Sequence, residues 1–210
     1  MKSFFGMYKK SAAEFTNLRS LVITGLFIAV SAVLEMFSIN VTSYLKINFA
    51  FLAIAVIGML FGPTVGFAAG LICDVVGFIV SPTGGFLPAY TLVAGLQGMI
   101  YGVWLYKDGG WRPLMRTTES GGSFDFSLLL RAAAARLTDV LVINLVLNTY
   151  LNMHYGFIPK QTIVAAITAR FFKNAVELAA DIPLLFLILP ACLMAYKQLS
   201  VRRTPGTTRD

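Results

Sequence analysis

From Ile47 to Tyr106 the chain carries one acidic residue, Asp74, and no Lys or Arg. A stretch that apolar and that long cannot fold into a small water-soluble core. It reads as helices crossing a bilayer, each needing roughly 20 mostly apolar residues and satisfying its backbone polar groups internally. Composition points the same way, with 57% of residues hydrophobic and 13% charged and a mean hydropathy of +0.75, against about 25% charged in soluble domains. The formal charge of +7 does not indicate nucleic acid, because the basic residues form no stripe with interleaved aromatics. Cys73 and Cys192 each sit in an apolar run without a Cys or His partner, so neither a disulfide framework nor a zinc site is expected.

Six segments qualify as spans: Leu18 to Ile39, Ile47 to Phe61, Val65 to Val80, Leu87 to Tyr106, Leu128 to Leu151 and Thr162 to Tyr196. The expected fold is an all-α membrane protein with six transmembrane helices. In "FGPTVG", Gly62 and Pro63 end one helix and start the next. The last segment is too long for a straight crossing, so it tilts, kinks at Pro183 or Pro190, or emerges from the bilayer. The first run lacks an obvious small-residue cleavage site and is long enough to span, so it reads as an uncleaved span rather than a signal peptide. Lys and Arg concentrate in the N-terminal flank (Lys2, Lys9, Lys10, Arg19), the fourth connection (Lys107, Arg112, Arg116, Arg131) and the C-terminal flank (Lys197, Arg202, Arg203, Arg209). By the positive-inside rule these three lie on one side, which makes both termini cytoplasmic. The opposite connections carry only Lys46 and Lys160 as cations. The chain thus divides into a cytoplasmic lead (1–17), a transmembrane domain (18–196) with a flexible cytoplasmic linker (107–127), and a cytoplasmic tail (197–210).

Ionisable groups inside a membrane are costly and mark candidate sites. Arg136 with Asp139, and Lys173 with Glu177, are spaced to neutralise each other along one helix, which is a structural role. Glu35, Asp74 and Arg170 have no such partner in their own helices, and all three fall between the midplane and the outer side. Asn144, Asn148 and Asn152 add a polar stripe at four-residue spacing. Such a stripe either glues helices together or lines a pocket. Its convergence with two carboxylates and a guanidinium favours an outward-facing polar pocket for an organic solute.

Small residues at four-residue spacing let helix backbones approach closely. Gly25 and Ala29 in the first span, and Gly66 and Gly70 in the third, lie in cytoplasmic halves where they can dock another membrane subunit or serve internal packing. No GxxxxGK[ST] loop is present to cradle nucleotide phosphates. No GxSxG, HExxH or paired-His spacing occurs, and the lone His154 reads as an ordinary loop histidine. No catalytic residue, cofactor or metal site is expected.

The segment "INFAFLAIAVIGMLFGPTVGFAAGLICDVVGFIVSPTGGFLPAYTLVAGLQGMIYGVWLY", with "LVINLVLNTYLNMHYG" and "ARFFKNAVELAADIPL", resembles the folate-family substrate-binding S component of energy-coupling factor (ECF) vitamin transporters. The resemblance covers about residues 18 to 196, and its most specific parts are the "FGPTVG" corner, the "PTGGF" loop and the "LNTYLNMHYG" helix end. It implies a multi-pass protein of the cell membrane that captures one vitamin externally and delivers it inward with a shared transmembrane T subunit and two cytoplasmic ATPases. It also implies that Gly25 and Ala29 face the T subunit, and that the loops "NVTSYLK" and "SPTGGFLP" close over the ligand.

On that basis Asp74 or Glu35 is expected to hold the edge of a pterin, whose neighbouring N–H donors suit a carboxylate. Phe86 and Tyr90 would wall the flat ring, with Thr83 and Gly85 in the lid over it. Asn148 would add amide contacts and Arg170 would face an anionic group. The family pattern carries a basic residue near the outer end of the first span, where this chain has Glu35. The alternatives are an S component for a pterin, queuosine precursor or cobalamin, and, from another class, a membrane scaffold or intramembrane enzyme.

Overall fold

The structure, a computed structural model, describes residues 2–42, 45–82, 85–107, 115–116, 123–124, 126–158 and 163–201. Its helices are α1 (Lys2–Ala13), α2 (Leu18–Met36), α3 (Phe51–Phe61), α4 (Pro63–Val80), α5 (Pro88–Leu105), α6 (Ser127–Asp139), α7 (Asn148–His154) and α8 (Ile163–Val201). A π-helical stretch, Val140–Leu147, joins α6 to α7 without a break.

The helices are built inside out. On α2, Ser20, Thr24 and Ser31 are buried while Leu21, Val22, Leu26 and Val33 are exposed. On α8, Arg170, Asn174, Glu177 and Asp181 are buried while Val164, Phe171, Phe172, Val176 and Leu187 are exposed. Apolar side chains turned outward and polar ones turned inward suit a hydrocarbon solvent. Three helical stretches, Leu18–Met36, Pro63–Val80 and Ile167–Leu199, are long and apolar enough to cross a membrane, and the chain is a membrane protein. Helix α3 has no outward face at all: nearly every residue is buried, as expected of a helix that is apolar all round.

Gly62 adopts a left-handed φ of 87° between α3 and α4, a conformation natural to glycine, and Pro63 begins α4 with its preset φ. The corner is completed from far away in sequence. The Ser11 hydroxyl of α1 donates to the Phe61 carbonyl at 2.7 Å and accepts from the Thr64 and Val65 amides at 3.0 and 3.2 Å. Ser11 thereby satisfies helix-end groups of both α3 and α4. Beyond this corner the backbones of α3, α4 and α5 meet through glycine. A Cβ on Gly66 would collide with the Gly98 carbonyl, one on Gly70 with the Ala94 carbonyl, and one on Gly102 with Pro63.

Each expected span has a helical counterpart, with several corrections. The first helix stops at Met36, because Ile39–Thr42 pairs antiparallel with Leu45–Ile47 as strands β1 and β2; β-branched Ile39, Val41 and Thr42 favour extended chain. The second begins at Phe51 rather than Ile47, the Asn48 side chain accepting from the Ala50 amide at 2.7 Å. The lead ahead of the first span is mostly helical, as α1 followed by a short 3-10 turn, Glu14–Thr16. Within the expected flexible linker, Met115–Arg116 and Ser123–Phe124 pair as β3 and β4. Finally, α8 runs as one helix through both Pro183 and Pro190.

Candidate functional site

Glu35, on the last turn of α2, and Asp74, on α4, border one cavity of about 890 Å³. Each carboxylate has a neutral donor. Asn48 Nδ2 donates to Glu35 Oε2, and Thr91 Oγ1 donates to Asp74 Oδ2 at 2.7 Å. Gly77 leaves the space that Glu35 fills, since a Cβ there would lie 3.2 Å from the Glu35 Cγ. This wall is acidic and supplied with acceptors.

The facing wall is built from the π-helical stretch, α7 and α8. Tyr90 OH donates to Asn152 Oδ1 at 3.0 Å, Asn152 Nδ2 donates to the Asn148 carbonyl at 2.6 Å, and Asn148 Nδ2 donates to Asn144 Oδ1 at 3.3 Å. The wider π turn releases the Asn144 carbonyl from its normal helical partner. That oxygen instead accepts from Arg170 Nη1 at 3.3 Å and from Thr149 Oγ1 at 3.4 Å. Arg170, 5% exposed, is thus aimed at the cavity by a backbone irregularity. Lys173 pairs with Glu177 at 2.7 Å on the same helix, as expected.

The most enclosed charges centre on Arg136, which lines the cavity. Arg136 pairs with Asp139, as expected, and also grips Asp181 of α8 through Nε, at 3.0 Å, and Nη2. Gln97 Nε2 donates to Asp139 Oδ2 at 3.0 Å, and the guanidinium carbon lies 4.0 Å from the centre of the Phe51 ring. Around the cavity mouth, Phe86 packs on Phe78 with ring centres 5.2 Å apart, and Tyr90 lies 6.2 Å from Tyr155.

Glu35, Asp74, Gly85, Phe86, Tyr90, Asn148 and Arg170, all singled out in the sequence, line this one cavity; Thr83, like Lys160, lies outside the described residues. Asn48, Phe78, Gln97, Arg136, Phe157 and Asn174 line it too and were missed as site residues. Asn174 had a readable signal: Arg170, Asn174, Glu177 and Asp181 fall at helical spacing on one face of α8. Asn48 and Gln97 had none. Gly66 and Gly70 must be corrected as a partner surface, because their faces are filled by Gly98 and Ala94 of α5. Gly25 differs, being exposed with nothing within 4 Å of an added Cβ, and Ala29 beside it is exposed too. Among the described residues no group of three or more His, Cys, Asp and Glu could hold a metal ion, and His154 is exposed beside Tyr150 and Tyr155.

A cavity lined by carboxylates, carboxamides, cationic side chains and aromatic rings can bind a flat solute with hydrogen-bonding edges. A family model described as "ECF-type riboflavin transporter, S component" matches residues 15–189. A folate transporter FolT of Clostridium novyi is 38% identical over 66 residues, 31% of this chain and 38% of that protein. An uncharacterized MG313 homolog of Mycoplasma pneumoniae is 37% identical over 93 residues, 41% of this chain and 33% of that protein. The chain therefore aligns with well under half the length of those two relatives. The crystal structure of FolT bound with folic acid superposes with a TM-score of 0.66 at 28% identity, covering 83% of this chain and 96% of that one.

Proposed function

The chain belongs to the S-component family of ECF-type transporters, and from that premise we propose that it captures folate or a folate-like vitamin at the external side of the cell membrane. The family is one of transporter subunits, which sets aside the scaffold and enzyme readings. The observation that carries the vitamin class is the mixed polarity of the cavity, lined by the carboxylates Glu35, Asp74 and Glu177 together with the cations Arg136, Arg170 and Lys173. A pterin edge offers neighbouring N–H donors to a carboxylate, and an anionic tail answers a guanidinium. Phe86 and Tyr90 wall the ring between them. Delivery inward is assigned to a shared transmembrane T subunit and two cytoplasmic ATPases, with Gly25 and Ala29 as the face for the T subunit. The topology that fits this role is six spans with both termini cytoplasmic.

A second reading, riboflavin, is favoured by the description of the matching family model; its ring is also flat and edged with donors and acceptors. Calorimetry on the purified chain, without nucleotide, separates the two. Folic acid should give saturable heat and riboflavin none, and the reverse result replaces the vitamin while keeping the transport role. Glu35→Gln should weaken folic acid binding by about 10- to 100-fold, the range expected for losing a charged hydrogen-bond acceptor.

A further inference from the structure

Six carboxamides line the cavity: Asn48, Gln97, Asn144, Asn148, Asn152 and Asn174. A carboxamide has one accepting and one donating end, and which end faces a ligand is set by the hydrogen bonds that hold the other. Asn48 is held at both ends, by Glu35 and the Ala50 amide. Asn152 is held at both ends by Tyr90 and the Asn148 carbonyl. Gln97 is held by Asp139, and Asn148 Nδ2 donates to Asn144 Oδ1 while the Asn148 Oδ1 is enclosed without a partner.

Asn174 stands apart. It is 3% exposed, its Oδ1 is enclosed without a partner, and among the described residues its side chain makes no hydrogen bond. A buried acceptor left unsatisfied is unfavourable, because it has lost water without gaining a partner. Helix geometry alone keeps the residue here, on the inward face of α8 one turn after Arg170 and one before Glu177. A half-turn about χ2 exchanges its oxygen and nitrogen without breaking any protein hydrogen bond, because none is made.

We infer that Asn174 is a specificity-determining residue that contacts the ligand and whose polarity is set by the ligand rather than by the protein. This rests on the folate reading and deepens it. The oxidised pterin ring presents N5 and N8 as acceptors, whereas the tetrahydro ring presents N5–H and N8–H as donors. Asn48, Gln97 and Asn152, tethered to other groups, meet both rings with the same polarity, while Asn174 donates to the first and accepts from the second.

The test is calorimetry on the full chain with folic acid and with tetrahydrofolic acid, for the wild type, Asn174→Ala and Asn174→Asp. Asn174→Ala should weaken both ligands by about tenfold, the effect of one lost hydrogen bond, with their ratio unchanged. Asn174→Asp, an acceptor at both oxygens, should shift the ratio toward tetrahydrofolic acid by about tenfold or more. Thermal unfolding without ligand checks that each variant is folded; if the aspartate variant is not, Asn174→Ala decides alone. Unchanged affinities in a folded Asn174→Ala would overturn the assignment while leaving the folate reading intact. A wild type that binds neither folate form overturns both, and is recognised before any variant is measured.

Discussion

Between α4 and α5 the two backbones touch, with Gly66 against Gly98 and Gly70 against Ala94. Between α6 and α8, Leu128, Ala132 and Ala135 share a buried apolar cluster with Leu185, Leu189 and Leu193, and a charge network is added, with Arg136 reaching across to Asp181 and back to Asp139. Glycine contact fixes one spacing and leaves no room, since neither helix has atoms to spare. The charge network instead joins its two helices through side chains rather than backbone atoms. The cavity takes lining from both sides, Asp74, Ala94 and Gln97 from α4 and α5 and Arg136, Arg170, Lys173 and Glu177 from α6 and α8. A glycine-packed pair of helices and a pair joined by a buried charge network thus border the same hollow in this membrane fold.

The sharpest way to break the comparison is at Asp181. Asp181→Ala leaves a buried guanidinium with half its compensation and should destabilise the protein by about 3–5 kcal/mol, read from reversible unfolding in mixed micelles. Replacing Arg136 with Met and both Asp139 and Asp181 with Leu should recover most of that loss, because a matched apolar set carries no desolvation cost. If the triple variant is as unstable as the single one, the network stabilises by more than self-neutralisation. On the other side, Gly98→Ala inserts a methyl into the Gly66 carbonyl. Overpacking of this kind should cost about 1–3 kcal/mol, with no rescue from any change of charge. A loss much smaller than that would mean α4 and α5 are free to separate.

The two sides were also unequally legible. The Gly62–Pro63 corner, the apolar α3 and the polar stripe of Asn144, Asn148 and Asn152 announce themselves, because residue type and spacing along one segment decide them. Small residues at positions 66 and 70 did signal close approach, but spacing along a helix cannot name the neighbour, and the neighbour is α5. Arg136 with Asp139 was readable as a local pair, whereas Asp181, which shares the guanidinium, is a long way off in the chain. The π-helical stretch had no signal, since "VLVINLVL" is apolar apart from Asn144 and fits either helical period. Its consequence, an Asn144 carbonyl turned toward Arg170, could only come from geometry. Likewise nothing in "KSFFGMYKKSAA" marks Ser11 as the hydroxyl that closes a corner fifty residues away.

That hydroxyl offers a milder probe of the close-packed side. Ser11→Ala removes the acceptor for two α4 amides and the donor to Phe61. A lost helix cap of this type should cost about 1–2 kcal/mol. Vitamin binding should survive, because Ser11 is not among the cavity residues. An equal fall in affinity would show that the corner transmits to the cavity.

The smallest expected effect on the isolated chain is at Gly25, and it is the most informative about assembly. Gly66, Gly70 and Gly98 carry no Cβ because another backbone already occupies the space, whereas an added Cβ at Gly25 meets nothing within 4 Å. Internal packing therefore gives no reason for a small residue there. Gly25→Leu should change unfolding stability by no more than about 0.5 kcal/mol, as for a surface substitution away from special features, and should leave vitamin binding unchanged. If this face meets the T subunit, the leucine fills a contact between helices that small residues normally keep close. Uptake by the assembled transporter should then fail while capture by the isolated chain continues. Normal uptake by Gly25→Leu would remove α2 from the proposed interface, and the exposed small face would then be explained by lipid alone.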